Sequence, residues 1–96
     1  DDGYIEVDIR HDGKEKELLF NGKNEWIRTS WEIRYNELPS AVTSALEAEG
    51  YQRDDDEVEV VQTPDASWYE VEVRRQGREY KVFIDESGKI IKVVDD

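Results

Sequence analysis

The chain has 96 residues, with 13 Lys and Arg against 25 Asp and Glu and a formal net charge of −12, a balance that repels phosphate backbones and anionic membrane surfaces. Hydrophobic residues make up 36% and charged residues 40%, but three Trp, five Tyr and two Phe argue for a thin core rather than for disorder. Without Cys there is no disulfide frame, thiolate metal site or Cys nucleophile, and no apolar run approaches the roughly 20 residues that span a bilayer.

Ile5, Val7 and Ile9 alternate with Glu6, Asp8 and Arg10, the period of a half-buried strand. Asp12-Gly13 is a two-residue hairpin signal, because both positions tolerate positive φ. The returning strand carries Leu18 and Phe20, and Asn21-Gly22-Lys23-Asn24 suits a four-residue loop around a type I turn. Ile27, Thr29, Trp31, Ile33 and Tyr35 then share one face, which predicts a third strand of about eleven residues. The one credible helix runs from about Pro39 to Glu49. Pro39 suits its first position and Gly50 its left-handed terminus, and Val42, Ala45 and Leu46 form its apolar stripe. Glu57 to Gln62 alternates around Val58 and Val60 as a further strand, and Pro64-Asp65 turns the chain.

Displaced by 64 places, Tyr4 to Thr29 aligns without a gap on Trp68 to Val93. Glu6, Val7, Arg10, Gly13, Glu15 and Ile27 recur as Glu70, Val71, Arg74, Gly77, Glu79 and Ile91. The turn grammar recurs too: Gln76-Gly77 replaces Asp12-Gly13, and Asp85-Glu86-Ser87-Gly88 replaces Asn21 to Asn24. A duplicated unit follows as the expectation. The predicted fold is α+β, an antiparallel sheet of about seven strands in the order βββ-α-ββββ with one helix on one face. It forms a single domain over residues 1–96, a three-stranded partial repeat over 1–35 and a helix plus four strands over 38–96.

Leu38-Pro39 followed by Val42, Ala45, Leu46 and Tyr51, then Trp68-Tyr69-Glu70-Val71-Glu72-Val73, then Phe83-Ile84-Asp85 with Gly88, resembles the helix and four-strand signature of the PepSY-like proteins. These are small secreted or periplasmic domains whose fold is similar to that of the β-lactamase inhibitor protein, a tandem of such units. The resemblance covers Leu38 to Val94 as one unit, and residues 1–35 look like the last three strands of a preceding one. It implies an exported, periplasmic or secreted, non-enzymatic binding or inhibitory module whose open sheet face docks a partner. The chain carries no Met and no signal peptide, which reads as a processed mature product or an excised fragment.

Catalytic signals are sparse. His11, the single histidine, sits beside the Asp12-Gly13 turn, where exposure is the ordinary reading. A triad would have to join it to Ser30, Ser40, Ser44, Ser67 or Ser87, none of which stands in a nucleophile elbow. With 25 acids, no chosen carboxylate pair singles out a glycosidase, so a carboxylate-based hydrolase is the weakest of three readings. Asp54-Asp55-Asp56-Glu57 groups hard oxygen ligands of the kind Ca²⁺ takes, in what reads as a loop before a strand, without the Gly and Glu of an EF-hand. The hairpin register also sets Asp8 opposite Glu17, where a bound cation or splayed side chains would be needed to relieve the like charges. The possible cofactor is therefore Ca²⁺, and the alternative function is a calcium-responsive structural or sensor domain in the periplasm.

Counting the hairpins as unbroken ladders puts Ile5, Val7, Leu18, Phe20, Ile27, Tyr69, Val71, Val82, Ile84 and Ile91 on the helix face. The other face takes the cross-strand pairs Arg10–Glu15, Arg74–Glu79 and Glu72–Lys81, together with Tyr4, Leu19, Trp26, Trp68, Phe83 and Ile90. Apolar residues ringed by charge mark an interaction surface, so these six are the candidate partner-binding residues. The partner is a protein; nucleic acid and membrane insertion are not expected. One helix of about 18 Å cannot cover seven strands, so Ile5, Val7, Ile9, Leu18, Phe20 and Ile27 are left as an apolar patch that predicts a homodimer or an exchange of elements between copies.

Overall fold

A computed structural model describes residues 3–96. The strands β1 (Ile5–His11), β2 (Lys14–Phe20) and β3 (Trp26–Arg34) are followed by a 3-10 turn (Tyr35–Glu37) and helix α1 (Ser40–Ala48). Then come β4 (Gln52–Gln62), β5 (Ser67–Arg75), β6 (Arg78–Ile84) and β7 (Ile90–Asp95). All seven strands form one antiparallel sheet in sequential order, β1 to β7. The α+β class and the βββ-α-ββββ order are those expected.

Turn chemistry sets the hairpins. Asp12 and Gly13 have φ of 55° and 76°, and Gln76 and Gly77 have 53° and 80°, the doubly positive pattern of a type I′ turn whose twist matches its strands. The two longer loops also share one geometry. Asn21 N–H donates to Glu25 O at 2.9 Å and Asn24 N–H to Asn21 O at 3.0 Å; Asp85 N–H donates to Lys89 O at 2.9 Å and Gly88 N–H to Asp85 O at 3.0 Å. In both loops the leading side-chain oxygen accepts two backbone N–H groups, those of Lys23 and Glu25 in one and of Ser87 and Lys89 in the other.

Three boundaries differ from expectation. Tyr35 leaves the third strand for the 3-10 turn, where the Glu37 carboxylate accepts the Arg34 N–H at 2.7 Å. Pro39 is the residue before the helix, with ψ of 149°, rather than its first helical residue. Strand β4 starts at Gln52, so Asp54, Asp55 and Asp56 lie within a strand and not in a loop. The ladder to β5 is irregular there, between Arg53 and Val58, and Asp54 and Asp56 pair with arginines.

The helix ends as its glycine dictates. Gly50, at φ 81°, lets Tyr51 N–H reach Leu46 O at 3.0 Å and Gly50 N–H reach Glu47 O at 2.9 Å, the paired bonds of a Schellman terminus. Leu46 and Tyr51 are both buried there. Arg75 braces the same end: its guanidinium donates to Glu49 O at 2.9 Å and lies 4.3 Å from the Tyr51 ring centre.

Val42 and Leu46 of α1 pack on Val58 of β4, Val71 and Val73 of β5, and Val82 and Ile84 of β6, all fully buried, with Leu38 and Tyr51 at the margins. The core therefore sits under one helix, against β4 to β6. Ile5, Val7 and Ile9 on β1 are 48%, 39% and 40% exposed, while Leu18 and Phe20 are half-buried, so among the described residues the core does not extend to the β1 end.

Candidate functional site

Among the described residues the one α-helix packs on a single face of the sheet, and strand alternation decides what the opposite face carries. Cross-strand partners share a face, so the pairings Ser30 with Val61, Val61 with Trp68, Glu70 with Phe83, and Phe83 with Lys92 place these residues together on the outer side. Val61 is buried there at 3% exposure and Ser30 at 6%. Leu19, Trp68 and Phe83 are half-buried. The Trp68 indole N–H donates to Glu70 Oε2 at 3.1 Å, and Lys92 Nζ sits 4.7 Å over the Phe83 ring.

Around this strip the carboxylates line up. Glu32 stands directly opposite Glu59, and Glu59 opposite Glu70, three glutamates in a row across three strands. A shallow depression of about 100 Å³ is lined by Glu32, Asp55, Glu57, Glu59, Glu70 and Glu72, with Lys81 as its one cation. Lys81 Nζ is 4.0 Å from Glu70 Oε1. Burial, then the charges of Asp96 and Asp55, hold the Glu72 carboxyl above the ordinary range against the pull of Lys81. Nearer β1, Asp8 faces Glu17 as the hairpin register requires. The Glu17 carboxyl is raised first by the charge of Glu6, then by desolvation and by Asp8.

Two of the six expected partner-binding residues are on the other face. The ladder between β2 and β3 shifts between Leu19 and Phe20, so that Phe20 pairs with Trp26. The ladder between β6 and β7 shifts between Phe83 and Ile84, so that Ile84 pairs with Ile90. Each third strand thus begins with a bulge whose extra residue is Ile27 or Ile91. The bulge moves Trp26 and Ile90 to the helix side, where the Trp26 indole N–H donates to Thr29 Oγ1 at 2.8 Å and Ile90 packs on the core. Ile91, expected under the helix, is 52% exposed. An unbroken count cannot see an inserted residue, and one such residue flips every side chain beyond it. Tyr4 is 60% exposed beside the start of β1.

The other candidate residues disperse. Asp54 pairs with Arg74 at 2.7 Å, Asp56 with Arg53 at 3.3 Å and with Arg34 at 3.4 Å, and Asp55 accepts the Glu57 N–H at 3.0 Å. Among the described residues, no group of three His, Asp or Glu side chains is placed to hold a metal ion. His11 lies at the exposed hairpin tip, 3.4 Å from Asp12 and 3.3 Å from Lys16 Nζ.

The glutamate row and Val61 were not among the residues singled out from sequence. Their alternation with Val58 and Val60 is legible, but β3 and β4 are joined through a helix, and without a tight turn no register between them can be counted.

The family model described as "Putative beta-lactamase-inhibitor-like, PepSY-like" matches residues 3–92. No curated protein matches the chain. Among solved structures, a DUF2874 family protein from Bacteroides uniformis is 25% identical with a TM-score of 0.80, over 99% of this chain and 72% of its own. A BLIP-like protein from Bacteroides fragilis is 28% identical with a TM-score of 0.79, over 96% and 67%. A protein from Bacteroides eggerthii described as a "putative periplasmic" protein shares the fold at 20% identity with a TM-score of 0.77, over 99% and 72%.

Proposed function

Because the chain belongs to the PepSY-like, β-lactamase-inhibitor-like family, we propose that it is an exported, non-enzymatic protein-binding module whose outer sheet face docks a partner with a basic surface. The carrying observation is the row Glu32, Glu59 and Glu70 set directly opposite one another. Like charges in register oppose folding, and a cationic partner would turn that local cost into binding energy. Half-buried Trp68, opposite Val61, together with half-buried Leu19 and Phe83 on the same face, supplies apolar contact of the kind that interface centres enrich. In the inhibitory form of this reading, the docked face occludes the working surface of a partner enzyme. The same reading takes the two halves of the sheet as copies of one unit, supported by the equal geometry of their loops.

The test is cross-linking capture from a Bacteroides periplasmic extract by the wild-type chain, by Glu59→Lys and by Trp68→Ser. A basic protein retained by the wild type, lost by both variants and released by raised salt is the expected result. Retention of the same protein by both variants would remove the outer face from the function.

A further inference from the structure

Among the described residues Ser30 is the one polar residue that is buried, at 6% exposure. It stands mid-strand on the outer face of β3, between Glu17 of β2 and Val61 of β4. Its hydroxyl makes no hydrogen bond to a described residue. No buried side-chain oxygen among these residues is sealed off without a partner, so the small part of Ser30 that still meets solvent includes this oxygen, at the floor of a depression of about 490 Å³. A hydroxyl held this deep with no protein partner is left for solvent or a ligand to satisfy.

Glu17, Glu32 and Glu59 line the same depression. Glu17 is directly opposite Ser30, Glu32 is two residues along β3 on the same face, and Glu59 faces Glu32 from β4. All four side chains therefore stand on strands inside the sheet. None of the three glutamates takes part in an ion pair among the described residues, whereas Asp54, Asp56 and Glu70 all do. The three cations that also line the depression are engaged elsewhere. Lys14 Nζ meets Glu37 at 3.1 Å, Lys16 Nζ lies 4.2 Å over the Trp31 ring, and Arg10 donates to Gly13 O at 3.4 Å. The depression thus presents acceptors and negative charge with no uncommitted cation among the described residues.

The chemistry that fits is a cation with several donors. No group of three His, Asp or Glu side chains among the described residues is placed to hold a metal ion. A guanidinium carries five N–H donors in a planar fork and can serve a hydroxyl and two carboxylates at once, whereas an ammonium is a compact, strongly hydrated point charge. We propose that this depression takes one arginine side chain of the docked partner, its guanidinium donating to Ser30 Oγ and to the carboxylates of Glu17 and Glu32, with Glu59 adding charge. This rests on the outer-face reading above and names the partner group that anchors there. The arginine also brings a positive charge to Glu17, whose carboxyl is raised first by the charge of Glu6, then by desolvation and by Asp8.

The test is a nuclear magnetic resonance titration of the isotope-labelled chain with Nα-acetyl-arginine amide and, separately, with Nα-acetyl-lysine amide, at matched ionic strength. The arginine probe should shift the backbone amides of Ser30, Glu17 and Glu32 and saturate at the lower concentration. Ser30→Ala and Glu32→Gln should each weaken its binding about tenfold. Glu32 is exposed, so its variant keeps the test decisive if Ser30→Ala does not fold. Equal shifts by both probes, spread over the acidic surface and unchanged by either variant, would overturn the proposal. The titration needs no partner, so the two readings fail separately. Arginine binding at Ser30 alongside a capture insensitive to Glu59→Lys and Trp68→Ser would keep this site and remove the docking face; a capture that depends on the face, with no arginine preference at Ser30, would do the reverse.

Discussion

A β-carbon added at Gly88 would lie 2.5 Å from the carbonyl oxygen of Ala41. The β6–β7 loop touches the first turn of α1 there, and only a residue without a side chain permits the approach. Gly88 also holds φ at 93°, and its counterpart in the first half, Asn24, keeps a positive φ of 63°. Gly88→Ala should therefore cost at least about 2 kcal/mol, combining a left-handed penalty with a backbone clash. Gly77→Ala, with φ 80° and nothing within 4 Å, should cost about 1 kcal/mol. Urea denaturation of the two variants checks the order, and equal losses would show that the helix contact adds nothing.

Arg75 ties the helix terminus to the sheet through Glu49 O and lies over the rings of Tyr51 and Tyr80 at 4.3 and 5.6 Å. Arg75→Ala should lower stability by about 1–2 kcal/mol. Arg75→Lys should recover less than half of that, because an ammonium lacks the planar stack. Thermal melts measure both, and full recovery by Lys would reduce the role of Arg75 to its charge.

The acid response should have two opposed parts. The carboxyls of Glu17 and Glu72 are raised, so their ionised forms are disfavoured in the folded chain, and protonation as pH falls through their folded values adds stability. Glu17→Gln should stabilise the protein at pH 7 by on the order of a few tenths of a kcal/mol, a gain that vanishes below the carboxylate range. Asp85 is lowered, first by the Ser87 hydroxyl and then by the Lys89 N–H. Its contribution is present above the unfolded value and is lost as pH falls through the folded one. Asp85→Asn should keep the loop, since Asn21 performs the same bonding in the other half, and should flatten that acid-side loss. Melting curves from pH 2 to pH 7 separate the two effects, and a parallel offset across the range for either variant would contradict its assignment.

Trp26 and Trp68 provide a test of the two faces. Both are half-buried, so replacement by Ser should cost about 1–2 kcal/mol, below the roughly 3–5 kcal/mol of a fully buried Trp. Trp68→Ser should also change partner capture, whereas Trp26→Ser, on the helix side, should not. Loss of capture by Trp26→Ser with Trp68→Ser unaffected would exchange their roles.

Ca²⁺ and Mg²⁺ at matched ionic strength should raise the melting temperature equally, because relief of self-repulsion needs no site. Asp54 and Asp56 already face arginines. A rise specific to Ca²⁺ and abolished by Asp54→Asn or Asp55→Asn would instead restore the calcium-responsive reading.

Local physics carried most of the fold. The alternation of Ile5, Val7 and Ile9, the doubly positive turns at Asp12-Gly13 and Gln76-Gly77, and Gly50 after an apolar stripe each specify structure through neighbours a few residues apart. The sequence therefore determined the element order, the two tight hairpin registers and the placement of Asp8 opposite Glu17. What it could not determine lay where chain neighbours and space neighbours part company. The bulges at Ile27 and Ile91 add one residue that no periodicity counts, and they reversed the faces of Trp26 and Ile90. The junction of β3 with β4 runs through a helix, so only the folded sheet could decide that Glu32, Glu59 and Glu70 stand in one row. Register across a tight turn is set by the turn itself; register across a helix is set by the packing of Val42 and Leu46 on the core, which exists only once the chain has folded.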